Sequence, residues 1–150
     1  MKIMVATDGS RGSAAALTFA ARLACEDTAS ELVVLTVAPA NGASPAAAGA
    51  GDRDPDARQV AQKILDRAAR SIGRRGAAAR FQLVTARRQD EVPEAISREA
   101  DRLKADLVVV GSEGRDTLSE WVLGGTALRL IYVAQRPVTV VRAPRRRRAG

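Results

Sequence analysis

Two glycine-bearing segments carry the residue types that proteins use to bind phosphate. The first is the turn Asp8-Gly9-Ser10, and the second contains Gly111 and Gly114 and is followed, nine residues later, by Gly124-Gly125-Thr126. Glycine lets backbone N–H groups approach an anion closely, and the start of a helix adds unpaired amides and a favourable dipole. The two segments could therefore clamp one polyphosphate.

The spacing of these glycines does not by itself decide between binding and a purely structural role. The sequence contains neither a P-loop motif nor the G-x-G-x-x-G motif of dinucleotide-binding folds. Glycine is also what a tight turn between a strand and a helix requires. On the residues alone, both interpretations stay open.

Several chemistries are excluded by residues that the chain lacks. It has no histidine, which removes histidine general bases, Ser-His-Asp triads and histidine metal sites. Its single cysteine, Cys25, allows no intrachain disulfide and no structural zinc site of the usual kind. We expect Cys25 to be a small core residue of a helix.

The positive charge is concentrated at the C-terminus. Of the formal net charge of +7, five charges come from Arg142 and the run Arg145 to Arg148, and without them the value would be +2. Such a run would bind phosphate backbones weakly and with strong salt dependence. The four aromatic residues of the chain are not interleaved with it for base stacking, so we expect no nucleic-acid partner.

The hydrophobic pattern alternates between strands and helices. It predicts strands near 1–7, 31–38, 81–85, 106–111 and 137–141, helices near 10–26, 55–75, 90–103 and 125–134, and a short helical stretch at 119–123. This order predicts an α/β fold, a five-stranded parallel sheet with helices on both faces and right-handed crossovers.

The chain is expected to form one domain over residues 1–142. Residues 39–54 are rich in Ala, Gly, Pro and Ser and predict a flexible loop, and residues 143–150 predict a basic, disordered tail. The first residues are too short an apolar run for a signal peptide, and no run approaches a membrane span. A cytoplasmic location without membrane attachment is the expectation.

Three segments carry a more specific signal. Residues 108–115 read VVVGSEGR and Gly124 follows their second glycine after nine residues, while residues 3–10 read IMVATDGS and residues 136–142 read RPVTVVR. Together they resemble the ATP-binding universal stress proteins, with the signature G-x2-G-x9-G-[S/T]. The resemblance covers essentially the whole chain to about Arg142.

The resemblance implies a Rossmann-like sheet of the adenine nucleotide alpha hydrolase type, with strand order 3-2-1-4-5. Strands one and four are then neighbours, and ATP, often with Mg²⁺, lies at their carboxyl ends. It also implies a homodimer formed through the last strand, Val138 to Val141. The residues implied at the nucleotide are Ala6, Thr7, Asp8, Val37, Val110, Gly111, Gly114, Arg115, Gly124, Gly125 and Thr126.

Two positions depart from what a triphosphate site would prefer. Gly125 stands where the signature has serine or threonine, and Glu113 places a carboxylate beside the proposed phosphates. The main hypothesis is an ATP-binding regulatory switch, not an enzyme, with little or no hydrolysis. The alternative is a stress protein of the same fold that binds no nucleotide and acts through protein contacts, and a third is a nucleic-acid binder acting through the arginine run.

Overall fold

The computed structural model describes residues 1–39, 55–113 and 123–144. Over these ranges five strands alternate with four helices. In chain order the elements are β1 (Lys2–Ala6), α1 (Arg11–Glu26), β2 (Glu31–Pro39), α2 (Pro55–Gly73), β3 (Arg80–Ala86), α3 (Val92–Leu103), β4 (Leu107–Gly111), α4 (Gly125–Val133) and β5 (Val138–Val141).

The five strands form one sheet in the order β3-β2-β1-β4-β5, and every neighbouring pair is parallel. This confirms the predicted fold class and strand order. The order reverses direction between β1 and β4, because α1 carries the chain from β1 to one side of the sheet and α3 returns it across to β4. Such a reversal leaves a crevice at the carboxyl ends of the two central strands.

Side chains alternate between two apolar layers, one on each face of the sheet. In β1, Ile3 and Val5 face the layer that α1 and α2 cover, and Met4 faces the layer that α3 and α4 cover. All three side chains are fully buried. Burial on both faces explains why β1, β2 and β4 are almost continuously apolar in sequence.

Some boundaries differ from the sequence-based prediction. Helix α3 begins at Val92, and a short 3-10 helix, Gln89–Glu91, precedes it, because Pro93 lacks an N–H and fits only the first turn of a helix. Cys25 is exposed, so the expectation that it packs in the core was wrong. The arginine run and most of the predicted loop at 39–54 and helical stretch at 119–123 lie outside the described residues. Of the two described ends, Pro39 belongs to β2 and Leu123 is not helical. Within the described ranges, no helix has the length and apolar character needed to cross a membrane.

The start of α1 lies directly against the end of β4. A Cβ atom at Gly111 would lie 2.3 Å from the carbonyl carbon of Gly12, and one at Gly12 would lie 2.5 Å from the carbonyl oxygen of Glu113. No side chain fits between the two backbones. The absence of side chains at both positions thus allows α1 to pack against the β4 edge of the crevice.

Replacing Gly111 with alanine is expected to lower the free energy of unfolding by about 1–3 kcal/mol, the usual cost of forcing atoms into a packed site. Urea unfolding measures this difference. The control is Gly125→Ala, because a Cβ there meets no atom within 4 Å, and its effect should stay within about 0.5 kcal/mol. Equal midpoints for Gly111→Ala and the wild type would contradict the close packing.

Candidate functional site

The two glycine-bearing turns meet at the carboxyl edge of the sheet. Strands β1 and β4 pair in parallel, with Met4 opposite Val108, so the turn after β1 and the turn after β4 emerge side by side. A hydrogen bond joins them directly, because the Ser10 hydroxyl donates to the backbone carbonyl of Glu113 over 3.1 Å. The two glycine-bearing turns therefore lie side by side, as they must if both are to contact one ligand.

The turn after β1 holds the Asp8 side chain in a defined position. The backbone N–H of Ser10 donates to Oδ1 of Asp8 over 2.9 Å, and Gly9 adopts φ = +79°, a conformation that favours glycine. Ser10 is the N-cap of α1, and its Oγ accepts from the N–H of Ser13. In the part of the chain that the structure describes, no hydrogen bond occupies the second carboxylate oxygen of Asp8, which leaves it available to a ligand donor.

Hydroxyl groups of buried residues form hydrogen bonds with one another and with the backbone of this turn. Thr7 donates to the hydroxyl of Ser13 over 3.1 Å, and Ser13 donates to the carbonyl of Ser10 over 3.0 Å. From the neighbouring strand, Thr36 donates to the carbonyl of Thr7 over 3.0 Å. Thr7, Ser13 and Thr36 are all buried. These bonds restrict the turn before any ligand arrives.

Sequence reasoning missed Thr36 and Ser13. The available signal was the position of Thr36, a polar residue inside an otherwise apolar β2. Buried hydroxyl groups need partners, so Thr36 predicts some hydrogen bond. Its acceptor becomes known only when the pairing of β1 with β2 is known.

The start of α4 lies beside the end of β4. The N–H of Gly124 donates to the carbonyl of Ser112 over 2.7 Å, and the N–H of Ser112 donates to the carbonyl of Val141. Gly124 is the N-cap of α4 and contributes no capping side chain, and Gly125 is exposed with open space around it. Helix N-termini favour anions through their unpaired amides and their dipole.

The hydroxyl of Ser112 is buried at this edge. Among the described residues, its Oγ atom finds no hydrogen-bond partner. Buried hydroxyl groups are usually paired, and the exceptions are often satisfied by water or a ligand. Ser112 is joined to the N-cap of α4 through its own carbonyl, so this unsatisfied hydroxyl is close to the helix start.

Helix α4 is held in place by α3. The Arg129 side chain donates to the Glu94 carboxylate, and this hydrogen bond lowers the pKa of Glu94. The hydroxyl of Ser97 donates to the carbonyl of Val133 at the other end of α4. Both contacts orient the helix whose first turn borders the crevice.

Most of the predicted site residues share this edge of the sheet. Thr7 is buried, Asp8 is half-buried, and the side chain of Val110 packs in the apolar core beneath α3 and α4. Gly114 and Arg115 lie outside the described residues. The others stand at the ends of β1, β2 and β4 or at the start of α4: Ala6, Val37, Gly111, Gly124, Gly125 and Thr126.

Within the described ranges, no group of three or more His, Cys, Asp or Glu side chains is arranged to hold a metal ion. The groups found at this edge are hydrogen-bond donors and acceptors: the carboxylates of Asp8 and Glu113, several hydroxyl groups and the amides of a helix start.

A comparison with known protein families shows to which family this chain is related. The model of the universal stress protein family matches residues 1–142. The chain belongs to the universal stress protein family. The family resemblance drawn from three sequence segments is thereby confirmed. A search of curated proteins with the sequence found no match.

Solved structures show the same fold. A universal stress protein family member from Burkholderia pseudomallei is 29% identical, with 93% of this chain and 94% of that chain covered and a TM-score of 0.68. The protein from Archaeoglobus fulgidus in complex with dAMP is 23% identical, with 94% and 97% covered and a TM-score of 0.69. A universal stress protein in complex with cAMP is 24% identical, with 96% and 98% covered and a TM-score of 0.69.

Replacing Thr36 with valine tests the support beneath the Asp8 turn of this universal stress protein. The change keeps the shape and removes the donor to a buried carbonyl, so we expect a loss of about 1–3 kcal/mol in the free energy of unfolding. The control is Thr85→Val, the same change at an exposed position of β3, which should be neutral within about 0.5 kcal/mol. Similar urea midpoints for both variants would show that the Thr36 bond does not restrict the turn.

Proposed function

We propose that this universal stress protein binds ATP in the crevice at the carboxyl ends of β1 and β4 and serves as a regulatory switch with little or no hydrolysis. The observation that carries the proposal is the junction of the two turns. Ser10 caps α1 and also bonds to Glu113, so the Asp8 carboxylate and the glycine-bearing segment stand at one edge. The dAMP and cAMP complexes of the related proteins support an adenine nucleotide as the ligand.

The residues at this edge could contact the three parts of a nucleotide, which are the adenine, the ribose and the phosphates. Ala6, Thr7 and Val37 lie at the ends of adjacent strands and are proposed to border the adenine. The second carboxylate oxygen of Asp8 is suited to accept a hydrogen bond from a ribose hydroxyl. The start of α4 offers amides and a positive dipole end to the phosphates, and Mg²⁺ would be bound there together with the phosphate oxygens.

The glycine at position 125 changes how the phosphates are held. Gly125 has no hydroxyl to donate, and the loss of one hydrogen bond to a charged group costs about 1.5–3 kcal/mol. The backbone N–H remains, and the open space around Gly125 permits close approach. We propose that main-chain amides, together with the hydroxyl of the following residue, Thr126, do most of the phosphate binding.

Turnover is not expected from these residues. The chain has no histidine to serve as a general base and no P-loop lysine. Asp8 already accepts a hydrogen bond from Ser10, and its proposed place is beside the ribose. Binding and release of ATP, coupled to contacts with other proteins, is then the proposed activity.

The second candidate is a member that binds no nucleotide. Gly125 and Glu113 favour it, because one lacks the hydroxyl of the family signature and the other adds a carboxylate at the same edge. Its expected outcome is a protein that carries no nucleotide through purification. Acid extraction followed by chromatography of the released compounds would separate the two candidates.

Removing the Asp8 carboxylate should weaken ATP binding. We expect Asp8→Ala to raise the dissociation constant about 10- to 100-fold, since a charge-assisted hydrogen bond contributes about 1.5–3 kcal/mol. Isothermal titration of ATP with Mg²⁺ measures the change.

Asp27→Ala is the matched control. Asp27 makes a similar turn, accepting from the N–H of Ala29 over 3.0 Å, but it precedes β2 and so lies at the opposite edge of the sheet. Its ATP affinity should equal that of the wild type. No measurable heat with the wild type up to millimolar ATP would reject the proposed function, and wild-type affinity in Asp8→Ala would remove Asp8 from the site.

β5 is the last strand of the sheet that the described residues form, and its outer edge is the proposed dimer contact. The carbonyls of Pro137 and Val141 accept hydrogen bonds from β4, so the alternation of a strand turns the backbone groups of Val138 and Val140 away from the sheet. An unpaired strand edge is a template for pairing with another chain. We propose that β5 pairs with its copy to form a homodimer.

Val140→Pro should convert the dimer to a monomer, because it removes an outward N–H and leaves the bonds to β4 in place. Sedimentation velocity measures the oligomeric state. Val140→Ala loses a larger part of the side chain but keeps the N–H, and it should remain dimeric. A monomeric wild type, or a dimeric proline variant, would contradict pairing through β5.

A further inference from the structure

The outer face of α2 carries a row of positive charges. This basic row consists of four exposed residues, spaced four, three and four positions apart: Lys63, Arg67, Arg70 and Arg74. At about 3.6 residues per turn, this spacing keeps all four within about 60° around the helix axis. The N–H of Arg74 donates to the carbonyl of Arg70 over 3.2 Å, so the helical path continues to the last member of the row.

The buried face of α2 determines the direction of the basic row. The apolar residues of α2 that are buried are Ala61, Leu65, Ala68 and Ile72. They belong to the face of the helix that packs on the sheet beside α1. Each member of the basic row comes two residues after one of them, and two residues turn a helix by about 200°. The row therefore faces away from the sheet, into solvent.

The charges of the basic row are not paired within the described part of the chain. Among the α2 side chains that the structure describes, Asp66 is the only carboxylate, and it accepts a hydrogen bond from Gln62 over 3.0 Å. No member of the row forms an ion pair with another described side chain. On the opposite face of the sheet, arginines are paired with carboxylates: Arg102 with Glu99, Arg129 with Glu94 and Arg136 with Asp101.

A rigid row of evenly spaced cations matches a rigid polyanion with evenly spaced charges. Each strand of a DNA duplex places one phosphate about every 3.4 Å along the axis. Lys63 and Arg74 are eleven positions apart, which is about 16 Å along a helix, so the row spans about five phosphates of one strand. Guanidinium groups donate to phosphate oxygens in a planar fork.

The composition of α2 favours a duplex over a single strand and over a membrane. The helix contains no aromatic residue on which an unpaired base could stack. Helices that bind bilayers insert an apolar face at the boundary of the acyl chains, but the apolar face of α2 is buried against the sheet. Of the described α2 side chains, Val60 is the one large apolar group that is exposed.

We propose that the basic row of α2 binds the phosphate backbone of double-stranded DNA without reading its sequence. The expectation of no nucleic-acid partner came from the C-terminal arginine run and its lack of interleaved aromatic residues. Contact between a folded helix and a duplex backbone requires no aromatic residue, because it is electrostatic. This inference goes beyond the proposed nucleotide binding and does not depend on it.

The test compares the wild-type chain with the triple variant Arg67→Gln, Arg70→Gln, Arg74→Gln. Fluorescence anisotropy measures the affinity for a labelled duplex of about 20 base pairs between about 50 and 200 mM KCl. Each lost phosphate contact reduces the dependence of log K on log salt by about 0.9, so the triple variant should lose about 2.7 of the slope. Its loss of affinity should then be about 40-fold larger at the lower salt concentration than at the higher one.

Two controls isolate the position and the charge of the row. The first removes three exposed charges elsewhere, with Arg87→Gln, Arg98→Gln and Lys104→Gln. It has the same net charge as the triple variant, and it should keep the salt slope of the wild type. The second, Arg67→Lys, Arg70→Lys, Arg74→Lys, keeps the charge on α2 and should also keep the slope, because the contact is electrostatic.

Three results would overturn the inference. The first is a wild type that does not bind the duplex at the lowest salt concentration. The second is a triple variant with the slope of the wild type, or with the same reduced slope as the first control, since binding would then follow other residues or the net charge alone. The third is a triple variant that keeps its DNA affinity but no longer sediments with vesicles containing phosphatidylserine, which would assign the row to a membrane. None of these measurements involves ATP, so the proposed function stands or fails separately.

Discussion

The contact on which the site depends is made by backbone alone. Gly12 and Gly111 let the first turn of α1 lie directly on the end of β4, with less room between them than one methyl group needs. Side chains at either position would separate the helix from the strand. The bond between Ser10 and Glu113 would then be lost.

This contact couples the two halves of the site. The turn after β1 is restricted by the hydroxyls of Thr7, Ser13 and Thr36, and the turn after β4 is restricted by the bonds of Ser112 to Gly124 and Val141. Preformed sites lose less entropy on binding. The protein thus presents its donors and acceptors in place, which suits a molecule whose proposed activity is recognition of a nucleotide.

The groups at this edge of the sheet fit the proposed binding of a nucleotide. A carboxylate, a helix start and hydroxyl groups can recognise a ribose and phosphates.

The sequence by itself determined the fold class, because burial on both faces makes parallel strands continuously apolar and the chain alternates them with helices. It also identified the family, through three segments taken together, one of which contains Gly111 and Gly114 and is followed by Gly124. It also placed α1 close to its observed bounds, since the signals for the start of a helix are local. The burial of Cys25 was predicted wrongly, because apolar neighbours in sequence do not reveal which face of a helix meets the sheet.

Hydrogen-bond partners that are distant in sequence were revealed only by the tertiary structure. Thr36 and Thr7 are 29 residues apart, and Arg11 and Pro144 are 133 apart. Their bonds depend on how the strands pair and on the direction in which the chain leaves β5, which no local pattern encodes. The close approach of Gly12 to Gly111 also depends on the fold. A glycine in the sequence indicates only that the backbone is free to adopt many conformations, and the fold determines which atoms lie where a side chain would be.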